Sequence, residues 1–186
     1  RDDDIIITGK RHDFYSEYEV GFNKLGAIEG LNIKLASRCG MSPDLSGAIN
    51  GRALLHIDNA YYLSNIKIKN YLCKTNTVSA TAFRGFGGNQ GMMVIENIID
   101  NISRYLNKDP YEIRRRNFYQ KNKKNVTHYG MKIEDNVIQE IFNKLVKKSN
   151  YKKRSSKIKK FNFKNKYLKK GIAITPVKLG ISVTTT

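Results

Sequence analysis

Cysteine is scarce in this sequence: Cys39 and Cys73 are the only two, 34 residues apart, with no CxxC motif and no Cys/His cluster around them. That pattern excludes a disulfide framework, a structural zinc site and an iron-sulfur site within this stretch, and both thiols read as small buried hydrophobes. Long apolar runs are missing too. Stretches such as Ile5-Ile6-Ile7 fall far short of the roughly 18 residues of a membrane-spanning helix, so the chain reads as soluble and cytoplasmic, with no membrane partner and no secretory h-region. Acidic residues stop at Glu140: residues 141–186 carry 14 Lys and Arg and no Asp or Glu, whereas residues 1–140 carry 20 against 16. The net charge of +18 therefore belongs mostly to one segment. Lys (24), Ile (21) and Asn (19) make up about a third of the 186 residues, a bias that skewed coding composition produces, which makes the charge a solvated surface with no nucleic acid as partner. A basic nucleic-acid or polyanion-binding module is the competing reading. It rests on Tyr151, Phe161, Phe163 and Tyr167 interleaved with lysines.

What is present is enough for a core, since 40% of the residues are hydrophobic. The chain starts at Arg1 and stops at Val183-Thr184-Thr185-Thr186, inside what reads as a strand, and is expected to be an internal segment of a longer protein. Phe14, Tyr18, Val20 and Phe22 alternate with polar residues, as do Ile28, Leu31, Ile33 and Leu35. Asn23-Lys24-Leu25-Gly26 lies between the two runs, so this is a β-hairpin. Ser42-Pro43-Asp44 opens a short helical segment, and residues 66–73 alternate again as a strand. Met92, Ile95, Ile98, Ile99, Ile102, Tyr105 and Leu106 recur at helical spacing. Asp109-Pro110-Tyr111-Glu112 starts a second helix with Asp as N-cap and Glu set to close a capping box. A third helix reads from about Val137 to Lys148, a Lys-rich helical connector follows, and Gly171-Ile172-Ala173-Ile174 begins a last strand. The order implies an α+β fold in one domain: hairpin and glycine-rich loop over 1–91, helices over 92–170, strand over 171–186.

The chemistry centres on Thr81 to Gly91, TAFRGFGGNQG. Four glycines in eleven residues between a strand and a helix let the backbone bend sharply and approach a ligand. The amides of Gly87, Gly88 and Asn89 would then face an anion at the helix N-terminus, with Asn89 as a good N-cap; a plain tight turn is the alternative. Neither GxGxxG nor the Gly-Lys-Ser/Thr of a P-loop is present. Phe86, inside that turn, is either presented to a flat ligand or a core residue.

Further motifs stand in order around this loop. They are Arg1-Asp2-Asp3-Asp4, Thr8-Gly9-Lys10-Arg11-His12, Arg52-Ala53-Leu54, His56-Ile57-Asp58-Asn59, Cys73-Lys74-Thr75-Asn76, Arg114-Arg115-Arg116-Asn117 and Thr175 to Ser182. Together with TAFRGFGGNQG they closely resemble the molybdenum-binding part of the xanthine dehydrogenase/aldehyde oxidase family. The resemblance covers essentially the whole chain and implies a partial molybdopterin-binding domain of a molybdenum hydroxylase. In the xanthine dehydrogenase branch such an enzyme oxidises purines, and electrons pass through iron-sulfur clusters and FAD, in other domains or subunits, to NAD. A homodimer of the whole assembly is implied as well.

Carried over position by position, the resemblance implies that Arg84, with Gly85, Gly87 and Gly88, lies against the molybdenum cofactor. It implies that Phe86 stacks on the purine, that Arg52 orients the substrate and stabilises charge developing on it, and that Thr184 hydrogen-bonds the purine. The metal is held by pterin sulfurs in this family, so His12, His56 and His128 read as structural. The family's catalytic glutamate lies outside this segment, so no residue here is named as general base, and the 186 residues alone are expected to be inactive. Asn89 stands where the family usually has Pro, and Leu179 and Val183 stand where it usually has Phe. The two losses shrink the aromatic surface of the pocket. They leave xanthine, another substrate or a nonfunctional remnant of the enzyme open.

Overall fold

The computed structural model describes residues 2–179. Thr184 and Val183 lie outside the described residues. The chain opens with α1 (Asp2–Ile7), whose first turn is acidic, a charge placement that suits the positive end of the helix dipole. The hairpin follows as β1 (Phe14–Phe22) and β2 (Ile28–Gly40), antiparallel with Tyr18 opposite Ile33 and a bulge at Gly21/Phe22. Its turn is built by Asn23, whose Oδ1 accepts from the amides of Leu25 and Ala27, while Gly26 takes a φ of +84°.

From β2 the chain crosses over through α2 (Ser46–Leu55) to β3 (Ile66–Lys74), which lies parallel to β2. The sheet order is β1-β2-β3, so the 13-residue β2 is the central strand. Ile33 and Leu35, on its inner face, are fully buried. Cys39 is buried as expected, but Cys73 is exposed on β3, because the side chains from Tyr71 to Lys74 at the end of this edge strand are left uncovered.

The long α3 (Gly88–Tyr105) starts earlier than its first periodic residue and lies against α2 and β1. Its stripe Val94, Ile95, Ile98, Ile99 and Ile102 joins Ile33, Leu35 and Ile57 in one cluster, and full burial of each such side chain contributes about 1.5–3 kcal/mol. Next comes α4 (Pro110–Asn117). Asp109 caps it by accepting from the Tyr111 amide and takes the Tyr151 hydroxyl as its second partner at 2.9 Å. Asn117 closes the other end. Its amide group donates to Ile113 O and Gly26 O and accepts from the Ile28 amide, which pins the hairpin turn to the helix.

The last helices are α5 (Ile138–Lys148) and α6 (Tyr151–Lys164). They are attached to the core through Phe142, stacked on Tyr111 and edge-on to Phe118, and through Tyr151. The lysines of α6 are all exposed. Residues 171–179 depart from the expected strand: Ile174 is buried, yet the stretch has no ladder neighbour among the described residues. A strand needs another main chain beside it, and here a side chain, that of Asn59, takes part of that place by bonding Pro176 O and Lys178 N.

Candidate functional site

The segment Gly9 to His12 and the stretch 79–81 run side by side, with a parallel bridge between Lys10 and Ala80 and the Thr81 amide donating to Lys10 O at 2.8 Å. Two motifs that are far apart in sequence thereby become one structure. Arg11 braces the loop that follows: its Nη2 donates to Arg84 O at 2.7 Å, and its guanidinium lies 4.4 Å over the exposed Phe83 ring. Gln90 donates to His12 O, and the buried His12 ring meets Ser46 Oγ at 2.6 Å.

The loop itself passes through three consecutive left-handed residues, Gly85 (φ +94°), Phe86 (φ +48°) and Gly87 (φ +91°). For glycine this is inexpensive; for Phe86 it costs about 1–2 kcal/mol. A half-buried phenylalanine held in that strained conformation is a feature that packing alone does not require.

Two expectations about the loop are corrected. The N-cap of α3 is Gly87, not Asn89, because the cap backbone is left-handed and excludes a side chain. Asn89 sits in the first helical turn with its side chain over Gly85, where a Cβ would lie 2.4 Å from Asn89 Oδ1. The Gly88 amide does not face outward either; it donates to Gly85 O at 2.9 Å. The glycines serve a contact that was missed. A Cβ on Gly87 would lie 2.0 Å from Ile49 O, and one on Gly91 would lie 2.3 Å from Ala53 O. The inner side of the loop is thus in main-chain contact with α2 at Gly87 and Gly91, while on its outer side Phe83, Arg84 and Asn89 are exposed.

That contact brings Arg52 to the loop. Arg52 lies in the last turn of α2, and its Nε would be 3.8 Å from a Cβ on Gly88, with the His56 ring at 3.3 Å. His56 is held below the usual imidazole range first by burial, then by the positive charges of Arg52 and Lys178, which favours its neutral form. Burial also lowers His12 and His128. Among the described residues no three His, Cys, Asp or Glu gather where they could hold a metal ion.

Beyond the loop lies a buried polar network that sequence reasoning left without roles. Asp58, fully buried, accepts the Tyr119 hydroxyl at 2.6 Å and pairs with Lys178. Glu96 accepts from Tyr61, Asn59 and Arg114, and Arg114 also donates to Asp100 at 2.9 Å. The sequence signal was that Asp58-Asn59, Arg114 and Lys178 each stand within one of the quoted motifs, which gave them no individual role. Arg114, first of three arginines, is buried, while Arg115 and Arg116 are exposed.

Comparison with known proteins gives a consistent picture. A family profile described as "Molybdopterin cofactor-binding domain" matches residues 1–118. The xanthine dehydrogenase of Dictyostelium discoideum is 43% identical over 184 residues, 99% of this chain and 13% of that protein. The xanthine dehydrogenase/oxidase of Gallus gallus is 42% identical over the same length and coverage. The chain thus spans about 13% of the length of these relatives. Among solved structures, the reconstituted CO dehydrogenase from Oligotropha carboxidovorans superposes with a TM-score of 0.76 at 17% identity, covering 86% of this chain and 20% of that one. The aldehyde oxidoreductase from Desulfovibrio gigas gives 0.74 at 24%, covering 82% and 16%. At these identities the likeness is one of fold.

Proposed function

Because the chain belongs to the molybdopterin cofactor-binding domain family, we propose that it forms one wall of the active site of a molybdenum hydroxylase that oxidises purines. The observation that carries this reading is Phe86, held at φ +48° inside the glycine loop with Arg52 at the loop's inner side. A strained, half-buried aromatic two residues before the glycine that faces Arg52 suits a flat, electron-poor ring that gathers negative charge as it reacts.

The residues fit a flat anionic cofactor on the outer side of the loop. Arg84 is exposed there, and Gly85 lies beneath the side chain of Asn89. Gly87 and Gly88 act through shape, by letting the loop seat on α2. When bound, the molybdopterin group supplies the redox and oxygen-transfer chemistry. This chain's part is to orient: Phe86 stacks the substrate, Arg52 steadies the charge that develops on it, and Thr184 donates or accepts at its edge. Iron-sulfur clusters and FAD in other domains, NAD as acceptor and a cytoplasmic homodimer belong to the same reading and rest on the resemblance of the motifs, whereas the relatives' names support the xanthine dehydrogenase activity alone.

The test is chemical. The purified whole protein, from cells grown with molybdate, should contain molybdenum and a pterin, and its absence would sink the assignment.

The basic segment belongs to a solvated face. Its lysines on α6 are exposed without exception, and Lys169 is spent on capping the helix end through Asn162 O and Asn165 O. Affinity for a single-stranded oligonucleotide at about 0.15 M salt should be no better than roughly 10⁻⁴ to 10⁻⁶ M and steeply salt-dependent. Nanomolar, sequence-sensitive binding would favour the polyanion module instead.

A further inference from the structure

We infer that Asp58, Asn59 and Lys178 form a clamp that positions the main chain at residues 176–178 beside the Arg52 end of α2, and so sets the substrate side of the site. The inference rests on the functional reading above. None of the three has a part in the chemistry; they are positioning residues.

The clamp has two jaws. Asn59 donates to Pro176 O at 3.0 Å and accepts from the Lys178 amide at 3.0 Å, so one side-chain amide holds two main-chain groups two residues apart. That is the spacing at which a neighbouring strand would hold them, and it fixes the register of a stretch with no ladder partner among the described residues. Asp58 is the second jaw. Its fully buried carboxylate pairs with the Lys178 ammonium, which also lies 5.2 Å from the Tyr119 ring and 5.7 Å from the Tyr129 ring. A buried carboxylate needs its cation, so the chain cannot slip by a residue without leaving Asp58 uncompensated. The anchor beneath is stiff: Asn59 also donates to Glu96 at 2.9 Å, and Glu96 is held by Tyr61 and by the buried Arg114.

The clamp adjoins the site. Asp58 follows His56 by two residues, and the His56 ring lies at Gly88 next to Arg52. Residues 176–178 therefore border this side of the site, where the Lys178 main chain also faces His56. The same stretch leads in sequence to Thr184, six residues beyond Lys178.

The experiment uses the whole, cofactor-loaded enzyme with Lys178→Met, Lys178→Arg and the double variant Asp58→Asn/Lys178→Met, the last leaving no buried charge unpaired. Three quantities are read: molybdenum content, KM and kcat for the purine, and hydrogen exchange in the peptide covering residues 171–179. For Lys178→Met we expect an unchanged metal content, a KM raised about tenfold with kcat within about twofold, and faster exchange confined to that peptide. Lys178→Arg should recover most of both. Wild-type KM and wild-type exchange in a metal-loaded Lys178→Met enzyme would overturn the inference, and faster exchange with unchanged KM would reduce the clamp to a structural tie and overturn it as well. Should Lys178→Met fail to fold, the double variant decides: wild-type exchange at 171–179 refutes the clamp, and faster exchange with raised KM supports it. A wild-type protein without molybdenum sinks the functional reading and the substrate arm together, while the exchange arm still reports whether these residues hold the segment.

Discussion

Replacing Gly87 by alanine in the whole protein should disrupt this domain more than the same change at any other described glycine. The new Cβ would stand 2.0 Å from Ile49 O and 3.1 Å from Ala53 N, both main-chain atoms of α2 that cannot rotate away. The position also has a φ of +91°, which an L side chain rarely adopts. Overpacking of this kind costs about 1–3 kcal/mol and the left-handed backbone about 1–2 more, so a loss of about 3 kcal/mol or more is expected. A domain of this size should then melt lower by about 6–12 °C. The helices can only part, which moves Phe86 and Arg84, so bound molybdenum should fall with stability. Gly51 gives the control: it lies within α2, a Cβ there meets nothing within 4 Å, and Gly51→Ala should be neutral or stabilise by up to about 1 kcal/mol. Equal melting temperatures and equal metal content for the Gly87→Ala and wild-type proteins would show that α2 and α3 are not seated as described.

The contrast between those glycines marks where the sequence was readable. The β1-β2 hairpin was legible because Tyr18, Val20 and Phe22 alternate and Asn23 and Gly26 supply the turn within the same short window. The helix at Ile95 to Ile102 was legible for the same local reason, and Asp109 announced its own cap. Parallel pairing of β2 with β3 was not, since it depends on a crossover through α2 and leaves no mark in either strand. Nor was the purpose of the glycine loop. Composition shows that backbone must come close to something there, but only the fold shows that at Gly87 and Gly91 it comes close to α2. The stretch from Gly171 failed in the opposite sense. Ile172 and Ile174 alternate as a strand does, yet the partner is the Asn59 side chain, 117 residues away from Pro176. Motif resemblance carried what periodicity could not, pointing to Arg52, which only the fold brings to the glycine loop.

In the proposed enzyme, Arg52→Met should lower kcat for the purine by at least about 10²-fold while changing KM less, in line with removing one preorganised donor to a developing negative charge. The side chain is placed for this by three local features: the last turn of α2, the missing side chain at Gly88 and the neighbouring neutral His56 ring. Neutrality of His56 matters, because a protonated imidazole so close would compete for the same charge and repel the guanidinium. Met fills most of the aliphatic volume, so the loss should fall on turnover rather than on folding, and metal content should stay at the wild-type level. Arg52→Lys separates charge from geometry. An ammonium keeps the charge but not the planar fork, so partial recovery of kcat is expected, short of the wild type. Unchanged turnover in a metal-loaded Arg52→Met enzyme would return Arg52 to a structural role at the end of α2, and an equal loss of metal and activity would make it a packing residue of the loop.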